Sequence, residues 1–265
     1  MVVVGAGFIS YFATQLGIPF IFAFIIGIIL TGLLGFVLER TFLRPMVGEP
    51  VFSVAVLTIG IDILLRVVLD NWIGINPKYM GDPFPSYGNF GSLNIGGLTV
   101  KYLEVTALIT SLILISILSV FFKRSKYGVA MRATSLDQEA ALAQGINVGR
   151  VFGLVWFIAG LLAAFAGFFI TGGFNTLTNT SFISALRALP AVVIGGLDSI
   201  TGAIIGSLII GLTQAYVGYY QFDIESAYNI KLGNGFSIVA PYLIMFVILL
   251  VKPHGLFGTE EVERV

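Results

Sequence analysis

Apolar residues in this chain come in long runs separated by short polar segments. A helix crossing roughly 30 Å of hydrocarbon needs about 20 such residues. Residues 1–38 carry no charge, and Glu39 is the first charged position. Gly17 and Pro19 punctuate this run. The pattern therefore predicts one full span over 18–38, ending at Glu39-Arg40, and leaves 1–16 too short for a second. Residues 1–16 also lack a basic start and are not read as a signal peptide. Further spans are predicted over 51–69, 104–122 and 151–171. The stretch 151–186 is uncharged, and Gly172-Gly173 with the polar run 175–181 marks a loop inside it. Segments 187–197 and 200–217 read as a helical hairpin turning at Gly195-Gly196-Leu197-Asp198-Ser199, with a short first arm. A last span over 236–251 is closed by Lys252-Pro253.

These elements predict an all-α membrane protein, a polytopic transmembrane helix bundle forming a single domain over 1–265. Nine of the 14 basic residues (Arg40, Arg44, Lys123, Arg124, Lys126, Arg132, Arg150, Lys252 and Arg264) fall in alternate connections. The positive-inside rule then makes 39–50, 123–150 and the C-terminal tail cytoplasmic. It makes 70–104, 172–186 and 218–235 external. That parity requires 187–217 to turn back as a hairpin. Within 70–104, residues 93–100 read as strand, Gly-Gly turn and strand. The segment 123–150 has no proline, and 132–144 is rich in helix formers, so it reads as helical.

Composition narrows the function. Hydrophobic residues make up 57% and charged residues 11%, against about 25% charged in a soluble domain. Lys plus Arg equals Asp plus Glu at 14 each, so no net charge draws a polyanion such as nucleic acid. There is no cysteine and a single histidine, His254, which excludes disulfides, thiol catalysis and His-rich metal sites. No Gly-Lys dipeptide occurs, so the chain has no P-loop of its own for ATP phosphates.

The candidate site residues fall into five groups. Asp62 and Arg66 share a helix face at i,i+4. They are either a self-neutralising ion pair near the outer third of a span or a functional pair at membrane depth. Arg187 either faces a solvated cavity or snorkels to the interface. Gly153, Gly160 and Gly167 line one helix face, and Gly202 with Gly206 forms G-x-x-x-G. Such faces pack tightly within the chain or against a second membrane subunit. Breaks at Thr58-Ile59-Gly60 and Gly195-Gly196 are expected to free backbone groups at depth for a substrate. The segment 139–147, a short helix stopped by Gly145, is either a docking helix for a soluble partner or a solvated connector.

Several motifs together resemble a known family. Glu139-Ala140-Ala141 with Gly145 resembles the coupling loop of ABC importer permeases. Glu39-Arg40, Arg44-Pro45, Thr58-Ile59-Gly60, Arg132-Ala133, Gly145-Ile146-Asn147, Arg150, Gly195-Gly196, Ser199, Gly202-Ala203 and 252–258 follow in the order of the LivH-type permeases of branched-chain amino-acid ABC transporters. The resemblance implies a non-enzymatic permease subunit in the cell membrane that binds no cofactor. It implies a second related permease subunit, two cytoplasmic ATPases that use ATP, and an extracytoplasmic substrate-binding protein. Arg132, Glu139, Ala140, Ala141 and Gly145 would form the ATPase-coupling set. Thr58, Gly60, Asp62, Arg66, Arg187, Gly195 and Gly196 are the candidates for the substrate pathway. The sequence lacks the family's further first span and its Asn-Phe-Ala-His-Gly-like segment, which precede residue 5. Asp198 stands where the family has glycine. Urea, amides or other amino acids are therefore alternative substrates. An ATP-independent transporter or channel using Asp62, Arg66 and Arg187, and a non-transporting scaffold subunit, are the other readings.

Overall fold

A computed structural model of the chain describes residues 1–47, 49–73, 78–79, 91–95, 98–172, 176–177, 186, 188–229, 233 and 235–258. The elements among them are almost entirely helical. They are α1 (Val2–Ser10), α2 (Phe20–Leu38), α3 (Val51–Ile73), β1 (Lys78–Tyr79), β2 (Ser92–Ile95), β3 (Leu98–Lys101) and α4 (Tyr102–Arg124). Then follow α5 (Lys126–Leu136), α6 (Gln138–Ala143), α7 (Val148–Gly172), β4 (Thr176–Leu177), α8 (Ala188–Gly195), α9 (Ile200–Tyr228) and α10 (Phe236–Val251). Five helices are long and apolar enough to cross a membrane: Phe20–Met46, Phe52–Trp72, Tyr102–Arg124, Val148–Gly172 and Ile200–Ala227. The described residues fall into two compact units, Met1–Phe182 and Ile183–Val265.

In the first unit, α1 packs on both α2 and α7. Val4, Gly5, Ala6, Gly7, Ile9 and Ser10 are all buried. The segment 1–16, judged too short to span, is thus a core helix, continued by a π-helical turn over Tyr11–Gln15. Ala6 and Ile9 meet Leu103, Phe168 and Leu177 in one cluster. Rings of Phe20, Phe24 and Phe168 interlock beside it. The contact is close because glycines carry it. A Cβ on Gly160 would lie 2.5 Å from the Thr31 carbonyl oxygen of α2, and one on Gly167 would lie 2.1 Å from that of Val2 in α1. The heptad glycines of α7 therefore seat the chain's own helices, and that face is not left for a second subunit.

In the second unit, α8 and α9 form the expected hairpin. Gly206 lies against Ala191, where a Cβ would sit 2.0 Å from the carbonyl oxygen, and Gly202 meets Gly195 just as closely. The G-x-x-x-G face is filled within the hairpin too. Ala191, Ile194 and Ile210 make the core, with Ile244, Met245 and Leu256 packed on it.

Polar junctions fix the helix starts. Ser125 accepts from the Gly128 N–H at 2.9 Å, Asp137 from Ala140 at 2.9 Å, Asn147 from Arg150 at 3.0 Å and Ser199 from Gly202 at 3.0 Å. Each gives one orphan amide of a first turn its partner. The strands β2 and β3 pair antiparallel from Ser92↔Lys101 to Ile95↔Leu98, as the hairpin pattern predicts. The Gly96-Gly97 turn lies outside the described residues.

Three boundaries differ from expectation. Helix continues past Glu39 as a π turn over Glu39–Leu43 and a 3-10 turn over Arg44–Met46, because a charge at a helix end does not stop the backbone. α3 runs unbroken from Val51 to Ile73, so Thr58-Ile59-Gly60 is no break. One glycine costs a helix only about 1 kcal/mol, which its apolar neighbours offset. α9 continues to Tyr228, through most of the predicted 218–235 loop, and stops where Asn229 takes the left-handed conformation (φ 52°).

Candidate functional site

The segment between α4 and α7 carries the clearest constructed feature. α5 and α6 are separated by Asp137, whose extended backbone (φ −157°) ends the first helix and whose side chain caps the second. α6 is closed at its other end by Gly145 (φ +80°). There the Gly145 N–H donates to the Leu142 carbonyl at 2.9 Å and the Ile146 N–H to the Ala141 carbonyl at 3.0 Å. This paired closure satisfies the carbonyls that a helix end leaves open, and it favours glycine at the left-handed position. A six-residue helix is otherwise marginal, so its caps specify it.

The predicted coupling residues divide on this frame. Glu139, Ala140 and Gly145 are exposed. Ala141 is turned inward at 3% exposure. Arg132 is exposed, but its guanidinium donates to the Phe122 carbonyl, so it brackets α5 to the end of α4. Sequence reasoning missed Leu136, which ends α5 and is 87% exposed, and Leu142, which is 57% exposed within α6. Leu136 borders a cleft of about 410 Å³ lined also by Met131, Thr134, Gln138, Val151, Phe152 and Val155. Two leucines in a short segment between long apolar runs were the available signal.

The predicted pathway residues are dispersed. Thr58 and Asp62 line one cavity of about 100 Å³ with Leu38, Ile61, Leu65 and Trp156. Asp62 pairs with Arg66 as the spacing predicts. Because α3 extends to Ile73, Asp62 is its middle residue and not in its outer third. Gly60 is exposed, with nothing within 4 Å of a Cβ placed there. Gly195 and Gly196 belong to the second unit, where α8 does end. The carbonyls freed there are not open to a ligand. The tail residue Leu256 donates its N–H to Ile194 O at 2.8 Å, and Phe257 donates to Gly195 O at 3.0 Å. Arg187 lies outside the described residues. Among the described residues, no cluster of three His, Cys, Asp or Glu side chains is placed to hold a metal.

A second polar cluster went unrecognised in the sequence, where Glu39 marked a span boundary, Arg44 counted toward a cytoplasmic connection, and both stood only among the family motifs. Glu39 is 2% exposed and paired with Arg44. The guanidinium forks onto it, Nε to Oε1 at 3.1 Å and Nη2 to Oε2 at 3.0 Å, and Nη2 also donates to the Gly149 carbonyl at 2.6 Å.

The described residues thus combine several long apolar helices with an exposed, capped helix between two of them. The profile of the family described as branched-chain amino acid transport system, permease component, matches residues 1–251. The chain belongs to that family. The permease is 27% identical to the high-affinity branched-chain amino acid transport system permease protein BraD of Pseudomonas aeruginosa, over 92% of its own length and 76% of the relative. It is 30% identical to the high-affinity branched-chain amino acid transport system permease protein LivH of Salmonella typhimurium, over 91% of its own length and 75% of the relative. A weaker likeness, 31% over 64% of the permease and 52% of the relative, links it to the ribose import permease protein RbsC of Bacillus subtilis. No solved structure matches. The chain is thus a multi-pass membrane permease component.

Proposed function

We infer that this chain is one transmembrane subunit of an ATP-driven importer for aliphatic, branched-chain-like amino acids. The observation that most supports this reading is α6: short, capped at both ends, exposed, carrying the exposed Leu142 and preceded by the exposed Leu136 at an open cleft. A rigid helix that exposes a leucine suits insertion into a groove of a soluble partner. ATP would be bound and hydrolysed by two cytoplasmic ATPases, since this sequence holds no P-loop. A second related permease subunit would complete the pathway, and an external binding protein would deliver the substrate. Lys123, Arg124 and Arg150 flank α5–α6 in sequence and Lys126 opens α5, and by the positive-inside rule this connection and the C-terminus would be cytoplasmic. ATPase closure on α6 would then rock the helices between outward and inward access.

The amino-acid assignment follows the names of BraD and LivH. The ribose permease likeness favours a wider substrate range for the architecture, so uptake of labelled leucine and ribose should be compared directly. The docking reading is tested with Leu142→Asp, tagged and purified in mild detergent from its native membrane. We expect the variant to insert normally but to recover less than about a tenth of the ATPase bound to wild type, since a charge in an apolar docking groove costs roughly 2 kcal/mol. Equal ATPase recovery with normal uptake would sink the docking role.

A further inference from the structure

We propose that the Glu39–Arg44 ion pair, clasped to the Gly149 carbonyl, is the positioning link that carries displacement of α6 into the membrane helices. The proposal deepens the α6 docking reading and rests on it.

The path has little slack. Only residues 146–148 separate Gly145 from Gly149. Ile146 is engaged by the closure of α6, donating to Ala141 O at 3.0 Å. Asn147 caps α7 through its side chain on the Arg150 N–H at 3.0 Å, and its carbonyl accepts from Val151 at 3.1 Å. Movement of α6 therefore arrives at the first turn of α7.

There Arg44 takes hold. A guanidinium forked on a carboxylate fixes orientation at two points, which a lysine ammonium does not do. Burial of Glu39 strengthens the attraction by lowering the local dielectric. The seat is shaped for this pair by two glycines one turn apart. A Cβ on Gly149 would sit 3.3 Å from Arg44 Cζ, and one on Gly153 would sit 3.3 Å from Glu39 Oε2. Larger residues would displace the clasp from the α7 backbone.

Beyond the clasp, α2 and α7 behave as one body. A Cβ on Gly35 would lie 2.4 Å from the Trp156 carbonyl oxygen, and one on Gly32 would lie 2.8 Å from Leu161. Contacts this close are bistable and do not deform gradually, so a push on one helix is passed to the other. Coupling needs such a contiguous chain of rigid contacts.

The test uses the complete transporter in proteoliposomes, with both permease subunits, the ATPases and the binding protein. Leucine uptake and ATP hydrolysis are measured together for Arg44→Ala and Glu39→Gln. Uptake per ATP is expected to fall about tenfold, a usual size for a lost coupling, while hydrolysis stays within about twofold of wild type. Gly149→Ala should lower the ratio less, by about threefold. It also serves, with Glu39→Gln, if Arg44→Ala does not insert. A merely structural role would lower uptake and hydrolysis together in proportion to assembled protein, and that result overturns the proposal. So does an unchanged ratio in all three variants. Leu142→Asp run in parallel is read only by ATPase retention. Loss of ATPases there with a normal ratio in Arg44→Ala removes the link and keeps the docking helix. Full retention there removes the docking reading and the link with it.

Discussion

Two glycine-marked sites look alike in the sequence and fold in opposite ways. Thr58-Ile59-Gly60 and Gly195-Gly196 both interrupt apolar runs. At the first, α3 passes through with Gly60 exposed and nothing near a Cβ. At the second, α8 stops, Gly196 takes φ +104°, and a Cβ there would lie 2.5 Å from the Gly258 nitrogen. The difference lies in what surrounds each glycine. Gly60 sits among helix-compatible apolar residues, and local propensity alone is too weak to break them. Gly195-Gly196 is followed by Leu197-Asp198-Ser199, and Ser199 caps a new helix through the Gly202 N–H. A break needs both a stop and a fresh start.

Three substitutions probe this contrast, in descending order of effect. Gly206→Val should be the most damaging. Its Cβ would meet the Ala191 backbone at 2.0 Å, and backbone cannot give way as a flexible side chain can. Overpacking of this kind costs about 3 kcal/mol or more. The half-unfolding temperature in detergent should drop sharply, and an unchanged value would mean the hairpin opens freely. Gly196→Ala should cost about 1–3 kcal/mol for a conformation L residues avoid. Its signature is faster proteolysis of the tail at 252–258, which the Gly195-Gly196 turn holds. Gly60→Ala should be neutral or stabilising by about 0.5–1 kcal/mol, the entropy glycine loses in a helix. Loss of uptake in a stable Gly60→Ala protein would contradict the exposed-surface reading and mark a contact with another subunit.

The long apolar helices were legible because apolar runs of about 20 residues with few charges favour one long helix. The hairpin of α8 and α9 and the β2–β3 pair were legible from their turn residues. α1 was undervalued because bilayer length says nothing about a short helix buried among longer ones. The overlooked cues were Gly5 in α1, which permits the approach to Ala164, and Gly167 in α7, which permits the approach to Val2. α9 runs past the expected boundary at 217 and takes in Gln221, Asp223 and Glu225. Gln221 donates to Glu225 at 2.9 Å and to the Gly233 carbonyl at 2.6 Å, which steadies the helix end. At the candidate site, the caps of α6 followed from residue type. The clasp of Arg44 on Gly149 did not, since it joins positions 105 residues apart.

Helix lengths in the second unit set a relation to lipid. α9 has 29 residues and α10 has 16. At about 1.5 Å per residue these are roughly 43 Å and 24 Å, against a hydrocarbon core of roughly 30 Å. Fitting all of α9 inside that core would take a tilt of about 45°, beyond the usual range of up to about 40°. Part of it therefore stands clear of the acyl chains, and α9 tolerates a thicker membrane at little cost. α10, at 16 residues, is not among the five helices long enough to cross, so α9 is the element of this unit on which bilayer thickness registers.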